Sequence, residues 1–372
     1  MKKCIVFVIL FMLMSVNVYA LDTSANCAVL IETTTGTVLY EKNAHTKTGM
    51  ASTTKIMTAL LALEKSKPDD IVTISRNAAN TEGSSLYLKP GDKIRMIDLV
   101  YGLMLNSGND AAVAIAEHIC GNVQEFAKGM TKKARDLGLE NTSFKNPNGL
   151  DADGHYTTAY DLAQITRYAM QNENFEKIVS TKKYTAKTAD GTDMYFVNHN
   201  KLLSMYEGCI GVKTGYTKST GRCLVSCAER NGIRFIAVTL GSPDDWNDHK
   251  KMLDYAFSRY ESKDILKENQ IIKTVTAKNS DGVVVNVIPS ESFSVPIRKG
   301  ENNNITVKLK MNALYAPVNK GEKVGVLEVY NGDNLLASID AVSDKDVYAV
   351  TKQKKGYFNS LIKILQNWMY VF

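Results

Sequence analysis

Histidine and cysteine are both scarce in this chain, five of the first and six of the second in 372 residues. Neither is grouped. No Cys/His cluster has the spacing of metal ligands, so no metal or other cofactor is expected. No Gly-x-Ser-x-Gly turn is present to set a serine against His45, His118, His155, His199 or His249, which argues against that form of serine–histidine–acid machinery. Cys4 lies in an apolar leader, and the other five cysteines (Cys27, Cys120, Cys209, Cys223 and Cys227) are odd in number and irregular in spacing. They do not read as a disulfide framework. Cys223 and Cys227 fall on one face of an expected strand, roughly 13 Å apart at about 3.3 Å per residue, too far to bridge. Small buried hydrophobes are the expectation for most of these thiols. Charge of one sign is also lacking. A net charge of +6 is mild and dispersed, and no block interleaves Lys/Arg with aromatics, so nucleic acid is not an expected partner.

Long apolar runs are missing as well. The one at the start, Cys4 to Val16, follows Lys2 and Lys3 and ends at Asn17-Val18-Tyr19-Ala20. It is short for a bilayer span and has the pattern of a cleaved export signal over residues 1–20. What remains is long enough for two domains. Cys27 to Glu32 and Thr37 to Glu41 read as strands about Thr34-Thr35-Gly36. Apolar periodicity then predicts helices from Ser52, over Met96 to Leu105, Ala111 to Ile119, Val123 to Leu137 and Tyr160 to Met170. Strands return at Ile210 to Thr214, Arg222 to Ala228 and, after the hairpin signal Asn231-Gly232, Ile233 to Leu240, before a helix at Met252 to Tyr260. This implies an α+β domain over 21–262, a mixed sheet covered by helices. Short β-type runs separated by Gly, Asn and Asp clusters fill 267–350 and predict a small all-β sandwich.

Three motifs punctuate the first domain in order: Ser52-Thr53-Thr54-Lys55, Ser107-Gly108-Asn109 and Lys213-Thr214-Gly215. Each is weak alone. Together they supply the parts for acyl transfer through a serine ester. Three residues apart at a helix start, Ser52 and Lys55 face the same side. The amine can take the hydroxyl's proton if its pKa is depressed by burial and by a second cation, for which Lys213 is the candidate. The Ser52 N–H, at the helix N-terminus, and the Tyr216 N–H are candidate oxyanion donors. Ser107 can relay a proton to the leaving group, and Asn109 can bond the substrate backbone. Lys213 and Thr214 suit a terminal carboxylate, while Gly215 permits close backbone approach.

The stretches Met50 to Thr58, Leu105 to Ala112 and Gly211 to Thr217 extend these motifs, and Asn148-Gly149-Leu150-Asp151 to Tyr160-Asp161-Leu162-Ala163 adds a fourth block. In them the chain resembles the penicillin-binding, serine-type D-alanyl-D-alanine carboxypeptidases of bacteria, from about residue 22 to its end. The resemblance implies a β-lactamase/transpeptidase-like fold and removal of the terminal D-alanine from peptidoglycan stem pentapeptides. It further implies that Ser52 is acylated by substrate and by β-lactam antibiotics, with Lys55 as its base. Ser107 and Asn109 then form a second wall, and Lys213 to Gly215 a substrate-binding strand. Two departures stand out. Tyr216 occupies a position where some relatives have histidine, and Gly241 to Trp246 contains no arginine of the kind some relatives use near the substrate carboxylate. No glutamate motif for activating a deacylating water is apparent, which disfavours a β-lactamase; intact Ser52, Lys55 and Lys213 disfavour a catalytically silent wall-binding scaffold.

The last segment is distinct. Lys352, Lys354, Lys355 and Lys363 accompany Phe358, Leu361, Ile362, Leu365, Trp368, Met369 and Phe372 at helical spacing. A basic amphipathic helix over 352–372 fits a membrane surface. With the leader removed, the expected location is the outer face of the cytoplasmic membrane, beside the cell wall.

Overall fold

The structure, a computed structural model, describes residues 21–300 and 304–350. The leader expected over 1–20 and the amphipathic helix expected over 352–372 lie outside the described residues. Two compact units are present, the main division falling at Arg259/Tyr260 and the hairpin turn Asn231–Ile233 grouping with the second.

In the first unit a five-stranded sheet runs in the order Val38–Lys42, Cys27–Glu32, Ile233–Leu240, Gly221–Arg230, Cys209–Thr217. The sheet is antiparallel rather than mixed. The pairings of Cys27–Glu32 with both of its neighbours, and of Cys209–Thr217 with Gly221–Arg230, are antiparallel. The reason lies in the connections: tight turns such as Asn231-Gly232 return the chain beside itself, whereas parallel neighbours need a long crossover. Cys209–Thr217 is an edge strand, and its register places Thr214 opposite Leu224 and Tyr216 opposite Arg222.

Helices Lys55–Lys65, Met96–Leu105, Asn109–Cys120 and Val123–Asp136 pack on one another, Ala159–Ala169 packs on the Cys27–Glu32 strand, and Asp245–Arg259 packs on Gly221–Arg230. The first of these helices buries Ile56, Met57, Leu60 and Leu61 in a core shared with Leu103, Ile115 and Phe126. Each such side chain removed from water contributes about 1.5–3 kcal/mol before entropy is charged against it. Cys27, Cys223 and Cys227 are buried and free. Burial pushes the Cys223 thiol up to about 12, so it behaves as a hydrophobe.

The second unit begins with the strand Tyr260–Leu266, a few residues before the expected Lys267, because that strand pairs with Phe293–Arg298. It is β-rich. A five-stranded sheet orders Lys273–Thr276, Val284–Pro289, Asn334–Ser343, Lys323–Asn331 and Ile305–Met311. Leu266 and Phe293 of the two-stranded sheet share its core with Val287, Leu327 and Val329.

Candidate active site

The nucleophile does not start an α-helix. Ala51–Thr54 is a 3-10 turn, and the α-helix begins at Lys55. With three residues per turn, positions i and i+3 eclipse, which sets Lys55 over Ser52 more closely than α-helical spacing would. No capping hydrogen bond involves the Ser52 side chain, since Met50 and Thr54 hold the two N-cap positions. Ala51 and Ser107 carry φ of +47° and +62°. Left-handed backbone at two non-glycine residues costs on the order of 1–3 kcal/mol each; both flank the reacting group.

Lys55 is fully buried. Its Nζ lies 2.9 Å from Ser52 Oγ, 2.7 Å from Asn109 Oδ1 and 2.6 Å from the Asn148 carbonyl oxygen. The identity of these neighbours fixes how the amine is used. Asn109 turns its Nδ2 to the Glu82 carbonyl at 2.7 Å, which leaves Oδ1 for Lys55, and the Asn148 carbonyl can only accept. A neutral amine has two N–H donors and one lone pair. The two pure acceptors take the donors, and the lone pair is left facing the Ser52 hydroxyl. Burial first and the Lys213 charge second lower its pKa well below the usual lysine range and so favour the neutral amine, with Asp110 opposing. Lys213 is itself buried, and burial lowers it to about 7. Its Nζ donates to the Thr214 carbonyl at 3.1 Å.

Above these buried groups lies a cleft of about 510 Å³ walled by Ser52, Ser107, Thr214, Gly215 and Tyr216. Gly215 is the contact between strand and 3-10 turn: a β-carbon there would stand 3.0 Å from the Ser52 nitrogen and 3.1 Å from that of Thr53. All eight residues singled out from the motifs are thus brought to one place, five on the cleft wall and Lys55, Asn109 and Lys213 beneath it. Asp110 fastens the adjoining rim, accepting from Ser85 Oγ at 2.6 Å and from the Leu86 and Leu88 N–H groups at 2.8 and 3.3 Å.

A family model described as D-alanyl-D-alanine carboxypeptidase matches residues 14–244. The chain belongs to this family. A model for the C-terminal domain of penicillin-binding protein 5 matches residues 260–349, the second unit. D-alanyl-D-alanine carboxypeptidase DacF of Bacillus subtilis is 39% identical over 356 residues, 92% of this chain and 90% of its own. DacC of Escherichia coli is 33% identical over 330 residues, covering 84% and 81%. Among solved structures, penicillin binding protein 5 from Haemophilus influenzae is similar with a TM-score of 0.66 and 29% identity over 88% of this chain and 98% of that one. The Streptomyces K15 DD-transpeptidase is similar with a TM-score of 0.61 and 38% identity over 64% of this chain and 98% of its own.

Several residues of this D-alanyl-D-alanine carboxypeptidase family member reach the site without having been assigned a role from the three motifs. Asn148 contributes through its backbone, from the turn composition of Asn146-Pro147-Asn148-Gly149, so side-chain chemistry gave no signal. His155 supports the 3-10 turn from below. Its Nδ1 accepts from the Lys145 N–H at 3.0 Å, so the proton sits on Nε2 and is donated to Thr54 Oγ1 at 2.9 Å. Burial lowers His155 to about 4, which keeps it neutral. His199, Arg222, Asp245 and Trp246 face the cleft itself. Burial, then the Lys213 charge, lowers His199.

Proposed function

We propose that this chain is a serine-type D-Ala-D-Ala carboxypeptidase that takes the terminal D-alanine from peptidoglycan stem pentapeptides through an ester on Ser52. The observation that carries the reading is the buried Lys55 Nζ 2.9 Å from Ser52 Oγ with two pure acceptors, Asn109 Oδ1 and the Asn148 carbonyl, as its other partners. Ser52 Oγ attacks the carbonyl of the penultimate D-alanine as its proton passes to Lys55 Nζ. The N–H groups of Ser52 and Tyr216 hold the oxyanion. The carbon–nitrogen bond breaks, and Ser107 relays the proton to the departing D-alanine nitrogen. Water then attacks the ester, giving its proton to Lys55, and Ser52 leaves protonated. The edge strand Cys209–Thr217 offers its outer side to an extended peptide, which it can accept as an added strand. A penicillin opens on Ser52 by the same first step. Its ester is expected to persist, because the sequence carries no glutamate motif of the kind β-lactamases use to activate a deacylating water.

Mass spectrometry of the purified protein with a stem pentapeptide tests this. The expected result is a tetrapeptide with free D-alanine, and a transient ester on the peptide bearing Ser52; cleavage at any other bond sinks the reading. Export through the leader and attachment to the outer face of the cytoplasmic membrane through 352–372 are also proposed, supported by the basic, aromatic-containing pattern of that segment. Deleting 352–372 is expected to release the protein from the membrane fraction with penicillin labelling intact. Release of the full-length chain as well would rule out this attachment.

A further inference from the structure

The cleft wall formed by Ser84 and Ser107 continues outward into a surface that the reaction does not use. Two segments build it. In the first, Asp110 accepts from the Leu86 and Leu88 N–H groups, and both leucine side chains are buried. Between them Tyr87 stands at φ +62° and is 87% exposed. The second segment is the hairpin of strands Lys183–Lys187 and Asp193–Val197. Its inner face is pinned to the helix Met96–Leu105: Tyr184 stacks on Tyr101 with ring centroids 3.6 Å apart and donates to Asp98 Oδ1 at 2.7 Å. Phe196 is buried, and alternation turns Tyr195 and Val197 to the other face, where they are 71% and 52% exposed.

The two segments meet. A β-carbon at Gly102 would collide with the side chains of both Leu86 and Phe196, so these buried neighbours of Tyr87 and Tyr195 converge on one spot of the helix. Both segments also reach the Ser107-Gly108-Asn109 motif. Leu86 covers Gly108, where a β-carbon would stand 2.6 Å from its Cγ, and the Val197 N–H donates to Asn106 Oδ1 at 2.9 Å. Tyr87, Tyr195 and Val197 therefore form one patch on the rim beside Ser107. Scattered apolar residues need no explanation, but grouped ones mark an interaction site. A ring held out on left-handed backbone carries a conformational cost that packing does not repay when the side chain touches so little.

The chemistry of the patch selects its occupant. Three side chains are too few for a stable protein partner, which needs about 800 Å² a side. Two separate tyrosine rings suit pyranose rings, whose apolar C–H faces lie against the electron-rich face of an aromatic while the phenol hydroxyl finds polar partners. Lys183 and Thr185, exposed opposite Val197 and Tyr195, add a cation and a hydroxyl for the polar substituents of such a chain. The stem peptide in the cleft is carried on a polysaccharide, so sugar rings are tethered near its mouth. We propose that Tyr87 and Tyr195, with Val197, form an exosite that binds the glycan strand of the polymeric substrate. This rests on the carboxypeptidase reading above.

The test compares D-alanine release from a soluble N-acylated pentapeptide and from isolated wall polymer bearing the same stems. The double variant Tyr87→Asn, Tyr195→Thr removes both rings; asparagine tolerates left-handed backbone and threonine suits a strand. The polymer concentration that gives half the maximal rate is expected to rise about fivefold to a hundredfold, the scale of two lost ring contacts. KM and kcat for the soluble peptide are expected to hold. Tyr87→Phe with Tyr195→Phe keeps the rings and should keep the polymer preference. Ser52→Ala protein, which cannot turn over, is expected to bind immobilised wall glycan stripped of its peptides, and to lose that binding when the two rings are removed. Equal use of polymer by wild type and the ringless variant overturns the proposal. Equal slowing on both substrates also overturns it, because that marks a structural role. A wild-type dimer that the ringless variant dissociates, with polymer use intact, would assign the patch to a second copy of the chain instead. Wild-type protein that releases D-alanine from neither substrate defeats the underlying reading, while binding of stripped glycan still reports on the patch.

Discussion

Ser52→Ala is expected to abolish both covalent labelling by a fluorescent penicillin and release of D-alanine, and Lys55→Met to slow labelling by about 10²–10⁴-fold with Ser52 still in place. Lys55→Arg separates charge from basicity. A guanidinium keeps a cation at the site but has no accessible neutral form with which to accept a proton, so this variant should be as slow as Lys55→Met. If arginine restored the rate, Lys55 would be acting as a cation and the lone-pair geometry would be irrelevant. The pH dependence carries the same argument. Lys55 works as a base only when deprotonated, so acylation rises with pH as its proton leaves, on a limb well below the ordinary lysine range because burial lowers it. The Lys213 charge lowers it further. Lys213→Met removes that charge, raises the Lys55 pKa and moves the limb to higher pH, while burial still holds it below an exposed lysine. The two lysines titrate as a pair, so the limb reports the pair as a whole. A limb that stays in place in Lys213→Met would show that the two amines do not sense one another.

Much of this was legible in the sequence. The Met96–Leu105 helix follows from its apolar run, Ile233–Leu240 from the Asn231-Gly232 hairpin, and the grouping of Ser52, Lys55, Ser107, Asn109 and Lys213 from three short motifs. The remainder depended on contacts that composition does not encode. The 3-10 turn at Ala51–Thr54 is invisible to a helical period, since both helix types place residue i+3 on the same side. The third partner of Lys55 is a backbone carbonyl, and any residue at position 148 could supply one. Arg222 is an ordinary strand residue until its register against Tyr216 and the packing of Asp245–Arg259 are known. The antiparallel sheet was also hidden: strands from the two ends of a segment imply that they meet, without saying in which sense.

Gly149→Ala is expected to damage the site as severely as any change outside the reacting groups. Gly149 follows the carbonyl that holds Lys55, at φ +90°, and an added β-carbon would lie 2.0 Å from the Ala51 carbonyl oxygen, 2.5 Å from its carbon and 3.0 Å from the Ser52 nitrogen. All three are backbone atoms of the 3-10 turn and have no rotamer to escape into. The turn or the loop must move. Either motion pulls the Asn148 carbonyl from Lys55 Nζ, so the amine gains a free N–H and its lone pair loses its fixed direction. Left-handed strain and overpacking together cost about 2–4 kcal/mol, a fall in melting temperature of roughly 4–16 °C for a unit of this size. Penicillin labelling should slow by about 10²-fold or more, the scale of losing a positioned base. Gly91→Ala supplies the control. Gly91 has the same φ of +90°, but a β-carbon there would meet nothing within 4 Å, so that variant carries the conformational strain without the collision. Calorimetry and labelling on both proteins separate the effects. Gly91→Ala is expected to melt slightly lower and label at the wild-type rate, whereas equal labelling by both variants would mean that the Asn148–Lys55 contact plays no part in setting the base.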